Sequence, residues 1–317
     1  MPYDLQNRLV IGVASSAVFD LKESDSVFQQ KGEEKYRLYQ KENLYKPLPK
    51  GIAYPFIRRM LELNSLQSPD DPLVEVILLS RNDPDTGLRV METIKHYGLN
   101  ITRAIFTQGK APYEYIKALN ISLFLSGNAS DVKTAIEASF PAGLVLDSKF
   151  VDDEEDYVLR IAFDFDGVIA SDESEAIFAQ RGLDGFQDHE VQNVLTPHNP
   201  GPLKDFLVKI NRIQNLEETR KRTDKHYQNR LRVSLVTARN APAHERAIKT
   251  LEDWGVRLND AFFLGGINKG CILEVLKPHI YFEDQISHIE KAQQFVPAVH
   301  IPFGVRNQES AQIPEPN

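Results

Sequence analysis

Cysteine is almost absent: Cys271 stands alone among 317 residues. No disulfide can close within the chain, which fits a reducing compartment, and nothing has the spacing of a zinc site or the setting of a thiol catalyst. Long apolar runs are missing too. None approaches the roughly 20 residues that span a bilayer. The segment Met1 to Asn7 is polar, without the basic start and apolar stretch of a leader. The expectation is a cytoplasmic protein with no membrane partner. Positive charge is in short supply, with 37 Lys and Arg against 45 Asp and Glu and a formal net charge of −8. That balance argues against a nucleic acid polymer as partner. A small anionic substrate stays open, because local basic groups set the field of a pocket.

What is present is an alternation. Apolar runs at 9–14, 74–79, 101–106, 121–125 and 143–146 read as strands. Between them, 23–40, 53–64, 85–97, 113–119 and 130–138 read as helices. Strands alternating with helices of this length predict an α/β fold with a parallel sheet covered on both faces.

After an acidic patch at 152–156 the pattern restarts. At an offset of 150, Val18 falls on Val168, Glu23-Ser24 on Glu173-Ser174, Phe28 on Phe178, Gln30 on Gln180, Gly32 on Gly182 and Gly51 on Gly201. With small gaps, Ser80-Arg81-Asn82 falls on Ala238-Arg239-Asn240, and Ala104-Ile105-Phe106 on Ala261-Phe262-Phe263. An internal duplication into two domains, 1–150 and 151–307, accounts for this. The tail, 308–317, is polar with two prolines and reads as disordered.

The two halves differ where charge would matter. Asp164 and Asp166 stand where the first half has Ala14 and Ser16, Thr237 where it has Leu79, and Glu283-Asp284 where it has Ser126-Gly127. The first half keeps the frame and lacks the acids, so one active and one inactive half is the simplest reading. In the second half, four strands end in polar groups: Asp164 and Asp166, Thr237, a Gly turn leading to Lys269, and Glu283-Asp284. Ligands of open α/β sheets bind outside the carboxyl ends of strands, so these groups should converge. Their types suit phosphoryl transfer. A carboxylate can attack phosphorus, and Mg²⁺ prefers oxygen ligands and screens the repulsion between that carboxylate and a phosphate. A lysine and a hydroxyl can stabilise the phosphoryl oxygens, and a second acid can protonate the leaving oxygen.

Asp164-Phe165-Asp166-Gly167-Val168, Thr237, Lys269 and Glu283-Asp284 resemble, in order and spacing, the four motifs of the haloacid dehalogenase superfamily of phosphohydrolases. Ser171 to Glu175, His189-Glu190, Gly201-Pro202-Leu203-Lys204, Thr237-Ala238-Arg239-Asn240-Ala241-Pro242 and Phe282-Glu283-Asp284-Gln285 resemble, more narrowly, the cytosolic type I 5'-nucleotidases. Two departures are Asp-Phe-Asp-Gly-Val, where animal members carry Asp-Gly-Asp-Ala-Val, and Glu283-Asp284 in place of two aspartates. The resemblance covers most of the chain. It implies two Rossmann-like parallel-sheet domains, the first degenerate, with a small helical cap inserted at about 171–230 of the second. It implies Asp164 as nucleophile and Mg²⁺ ligand, and Asp166 as acid/base with a ligating backbone carbonyl. Thr237 would bind the phosphoryl group and Lys269 would orient Asp164. Asp284 would ligate Mg²⁺, with Glu283 ligating directly or through water. The implied reaction turns a nucleoside 5'-monophosphate into nucleoside and phosphate.

Plainer readings stand beside these. Another phosphomonoesterase, a nucleoside phosphotransferase or a nucleotide-binding protein without turnover would use similar residues. The run Asp172 to Glu175 suits a helix N-terminus as well as a substrate-facing role. Phe186, His189 and Lys204 lie in the cap region without an assigned part. Arg220-Lys221-Arg222 lies among Glu217, Glu218 and Asp224 and reads as a solvated helix face. Trp254 reads as core. The oligomeric state is left open, a homo-oligomer included.

Overall fold

A computed structural model describes residues 4–309. The chain divides into two compact units, Met1–Val145 and Leu146–Asn317. In the first unit the described elements are β1 (Leu9–Val13), α1 (Ser15–Val18), α2 (Lys22–Glu42), α3 (Tyr54–Glu62), β2 (Val74–Ser80), α4 (Pro84–His96), β3 (Arg103–Phe106), β4 (Ile121–Ser126), α5 (Ala129–Glu137) and β5 (Ala142–Val145). The strands pair in parallel in the order β3-β2-β1-β4-β5. Residues of β1, β2 and β4 are buried on both faces, as the near-continuous apolar runs require of a parallel sheet covered by helices. Helix starts follow local chemistry. Asp83 caps α4 by accepting the Thr86 N–H with Pro84 at the first position, and Asn128 caps α5 through the Asp131 N–H.

The second unit has β6 (Leu159–Phe163), α6 (Glu173–Gln192), α7 (Lys204–Thr223), β7 (Leu231–Thr237), α8 (His244–Asp253), β8 (Asp260–Phe263), α9 (Lys269–Leu276), β9 (Ile280–Glu283), α10 (Ile286–Ala292), β10 (Ala298–His300) and α11 (Val305–Glu309). Its order is β8-β7-β6-β9-β10, again parallel. Each unit thus runs third, second, first, fourth, fifth. Small irregularities also correspond. The bridge Phe19–Lys50 has its counterpart in Ala170–Pro200. The long helix in each unit is broken at one glycine, Gly32 (φ 77°) in α2 and Gly182 (φ 68°) in α6. The Leu48 N–H donates to Thr93 Oγ1 and the His198 N–H to Thr250 Oγ1, both at 3.1 Å.

Gly201 lies between α6 and α7 and packs against the loop that leaves β6. A Cβ there would lie 2.3 Å from the Ala170 carbonyl oxygen and 2.8 Å from that of Val168. Both are backbone atoms and cannot swing aside. Gly201→Ala should therefore lower stability by about 1–3 kcal/mol, measured as a drop in the urea midpoint at unchanged slope. A wild-type midpoint would remove close packing as the reason for this glycine.

One element departs from the sequence reading. The helix expected at 113–119 is a single 3₁₀ turn, Pro112–Tyr115. Pro112 fixes its start, and the chain goes on through single turns, the Leu119 N–H donating to the Tyr115 carbonyl and the Asn120 N–H to that of Lys117, until Asn120 at φ 52° ends the segment. The tail read as disordered lies outside the described residues from 310 onward, and its first two positions close α11. No described helix is long and apolar enough to cross a membrane.

Candidate active site

The C-terminal ends of β6, β7 and β9, with the start of α9, carry Asp164, Asp166, Thr237, Glu283, Asp284 and Lys269. β6 ends at Phe163, and the Asp164 N–H donates to the Phe282 carbonyl at 2.9 Å, which holds Asp164 against the end of β9. Its carboxylate accepts the Phe165 N–H at 2.7 Å and pairs with Lys269 Nζ at 2.7 Å. Lys269 is placed by the start of α9, where Asn268 caps the helix through the Gly270 N–H. Lys269 also reaches Glu283 at 2.8 Å, so one ammonium spans the two carboxylates. All three side chains are almost wholly buried. Burial alone would lower the Lys269 pKa, but the charges of Asp164 and Glu283 outweigh it and hold the ammonium protonated. Burial and the charge of Glu283 push Asp164 well up. Glu283 is held well down against its own burial by Lys269 and His288.

Glu283 is fully occupied by donors. Besides Lys269 it accepts the Tyr281 hydroxyl at 2.5 Å and the Gln285 N–H at 3.2 Å, and His288 Nδ1 lies 3.3 Å away. Asp284 is the opposite case. It has no exposed surface, and neither carboxylate oxygen has a hydrogen-bond partner. Its pKa is pushed well up by burial, then by the neighbouring charges of Glu283, Glu175 and Asp164. A buried carboxylate with both oxygens unmet is costly unless a cation pairs with it. Beside it, a Cβ on Gly167 would lie 2.7 Å from Asp284 Oδ2, so the glycine leaves the carboxylate its space.

Thr237 ends β7, 1% exposed, with its hydroxyl accepting the Arg239 N–H at 3.3 Å. Asp166 sits in a fork. Arg239 Nε and Nη2 each donate to one of its oxygens at 2.7 Å, the bidentate geometry that fits a carboxylate best. Residues 1–308 match the family model for 5'-nucleotidase. This chain belongs to the 5'-nucleotidase family. Human cytosolic 5'-nucleotidase 1B is 33% identical over 294 residues, covering 91% of this chain and 48% of that protein. The chain thus spans about half the length of that curated relative. No solved structure matches it.

In this family member the sequence reading missed a buried layer beneath Asp166. Arg239, 4% exposed, also donates to Glu190 and lies over the rings of Phe165 and Phe186, at 4.9 and 5.3 Å. Glu190 then accepts Ser174 Oγ at 2.8 Å and Arg246 at 3.0 Å, and it contacts His198 at 3.1 Å. Glu173 closes the layer against Arg246 at 2.6 Å, His198 at 3.0 Å and Asn199 at 2.8 Å. The acids of the 172–175 run are therefore engaged by protein groups. Asp172 accepts the Val305 N–H, and Glu175 accepts Gln285 Nε2 at 2.6 Å. Burial, then the charge of Asp166, pushes Glu175 up to about 7. His189 is half-buried, 3.2 Å from Glu190. Lys204 lies over the half-buried Trp254 ring at 5.6 Å. Residues 220–222 are exposed at the end of α7. Tyr281 carried a readable signal, since it sits two residues before Glu283 and on the same strand face.

Proposed function

We propose that this chain hydrolyses nucleoside 5'-monophosphates to nucleoside and phosphate, as a Mg²⁺-dependent phosphomonoesterase of the haloacid dehalogenase type. The observation that carries this reading is the Asp164–Lys269–Glu283 cluster beside the unmet Asp284, with Thr237 and Asp166 on the same sheet edge. The relative's name supplies the substrate class and the word cytosolic, and the single cysteine agrees with that compartment. The shared strand order and the paired glycine breaks support a duplication in which the first unit, without the acids, has no turnover. Helices α6 and α7, about 171–230, would act as the cap that selects substrate.

Asp164 attacks phosphorus through a carboxylate oxygen, the bond from phosphorus to the 5'-oxygen breaks, and an aspartyl phosphate forms. Asp166, turned from Arg239 and carrying a proton, gives that proton to the leaving oxygen. Water then attacks phosphorus, its proton passes to Asp166, phosphate leaves and Asp164 is restored. Lys269 and Thr237 meet the phosphoryl oxygens as charge moves onto them. Asp284, Asp164 and the Asp166 carbonyl would hold the cation. Glu283, already saturated by donors, would reach it only through water. The bound cation supplies the charge that keeps Asp164 ionised against burial and offsets its repulsion of the phosphate.

Phosphate release from a panel of nucleoside monophosphates, with and without an added acceptor nucleoside, tests the reaction and separates hydrolysis from transfer. Chelation should abolish release and Mg²⁺ should restore it. Asp284→Asn is expected to raise the half-saturating Mg²⁺ concentration by about 10-fold or more (roughly 1.4 kcal/mol per decade). An unchanged Mg²⁺ requirement in that variant would remove Asp284 from the metal set.

A further inference from the structure

Arg89 on α4 corresponds to Arg246 on α8. Each is almost wholly buried, and each donates through Nε to a backbone carbonyl at the matching position, Lys46 at 3.0 Å and Thr196 at 2.9 Å. Their remaining partners differ in charge. Arg246 is met by two carboxylates, Glu190 and Glu173. Arg89 is met by the neutral Gln40 Oε1 at 3.1 Å and lies over the Tyr39 ring at 5.5 Å. Glu23, at the position of Glu173, is 63% exposed and turns to Lys46 at 3.5 Å. The Arg89 guanidinium, 2% exposed, thus has neutral hydrogen-bond acceptors and, among the described residues, only the exposed Glu23 as a nearby countercharge. Beside Arg89 lies a recess of about 240 Å³ whose lining includes three basic residues, Arg89, Lys46 and Lys22, and two acids, Asp20 and Glu23. The N-terminus of the first arm of α2, which runs from Lys22 to the break at Gly32, opens on the same recess through Lys22, Glu23 and Ser24, and its dipole favours an anion there.

We propose that this recess binds a phosphate group, either free phosphate or the phosphoryl group of a small organic phosphate, with Arg89 as its buried counter-charge and the largely exposed Lys46 beside it. Arg offers a fork of donors that fits phosphate oxygens, and Lys46 and the helix end add charge from two further directions. Every group named lies in the first unit, so occupancy does not depend on turnover in the second. Bound phosphate would stabilise that unit by mass action.

The test is equilibrium binding of inorganic phosphate, and separately of ribose 5-phosphate, to the full chain and to Arg89→Gln, Lys46→Glu and Glu23→Gln. The active half can hold phosphate as well, so the number of sites per chain is read together with affinity. Arg89→Gln and Lys46→Glu should each weaken one site by about 10-fold or more, and Glu23→Gln, which removes a repelling carboxylate, should tighten it. Lys46 is largely exposed, so its variant tests the site without disturbing a core. Losses with both probes identify the bare phosphate group as sufficient, and losses with ribose 5-phosphate alone identify an organic phosphate. Wild-type stoichiometry and affinity in both Arg89→Gln and Lys46→Glu, for both probes, would overturn the site. So would weakened binding in Glu23→Gln, which would make Glu23 a ligand-binding partner instead of a repelling group.

Discussion

Asp164→Asn is expected to reduce phosphate release from nucleoside monophosphates by at least about 10³-fold, some 4 kcal/mol of barrier, while the protein stays folded. The amide oxygen of Asn can still accept the Phe165 N–H that now meets the carboxylate at 2.7 Å. The amide nitrogen then stands opposite Lys269, whose ammonium keeps Glu283 as its partner at 2.8 Å, so the charge is not stranded while the nucleophile is removed. Stability should change little or rise, because burial and the neighbouring Glu283 already disfavour the ionised form of Asp164. The measurement is single-turnover phosphate release beside a thermal midpoint. Activity above a tenth of wild type with an unchanged midpoint would exclude Asp164 as the attacking group. A collapsed midpoint would show instead that Asp164 holds the fold.

Glu190→Gln should produce the largest loss of stability. Glu190 has no exposed surface on its side chain and meets two buried guanidinium groups, Arg239 and Arg246. Removing one partner of a buried ion pair leaves charge uncompensated and costs roughly 3–5 kcal/mol. The first unit carries this substitution naturally, with Gln40 at the matching position. It is tolerated there because only Arg89 faces Gln40, while Arg81, the counterpart of Arg239, pairs with Asp131. The pH dependence has a definite sign. Burial would raise the Glu190 pKa, but the His198 hydrogen bond and the Arg239 charge hold it well below the usual carboxylate range. Its contribution is therefore complete above the unfolded value of about 4.3 and is lost as pH falls from there through the folded value. Urea titrations of wild type and variant should differ most at neutral pH and converge under strong acid. A gap below about 1 kcal/mol at pH 7 would mean that His198 and Ser174 carry the layer without the charge.

The sheet edge was legible because its signals lie along the chain. Apolar runs that stop at Asp164, Thr237 and Glu283 mark strand ends, and strand ends in a parallel sheet share one face of the unit. The Gly turn before Lys269 placed that residue at a helix start, where Asn268 caps it. The layer below was not legible, because average behaviour puts arginine at the surface. Arg239 and Arg246 are buried only because Glu190, Glu173 and Asp166 arrive from distant segments. No local period announces such an encounter. The donors on Glu283 are a similar case. The sequence offered two adjacent acids, Asp284 as a ligand and Glu283 as one directly or through water, and only the fold saturates Glu283 with Lys269 and Tyr281 while leaving Asp284 bare.

The break at Gly182 makes α6 a folded lever. Along a straight helix, Ser174 and Glu190 would stand about 24 Å apart at 1.5 Å per residue, yet their side chains hydrogen-bond at 2.8 Å. The helix therefore doubles back on itself, and the left-handed backbone of one glycine sets the angle between its two arms. The tip of the second arm is Glu190, which grips Arg239, which in turn grips Asp166. An error of a few degrees at an exposed glycine would thus arrive, magnified along the arm, as a misplaced Asp166 carboxylate. The first unit has the same lever, bent at Gly32, with Gln40 at its tip and no acid to aim.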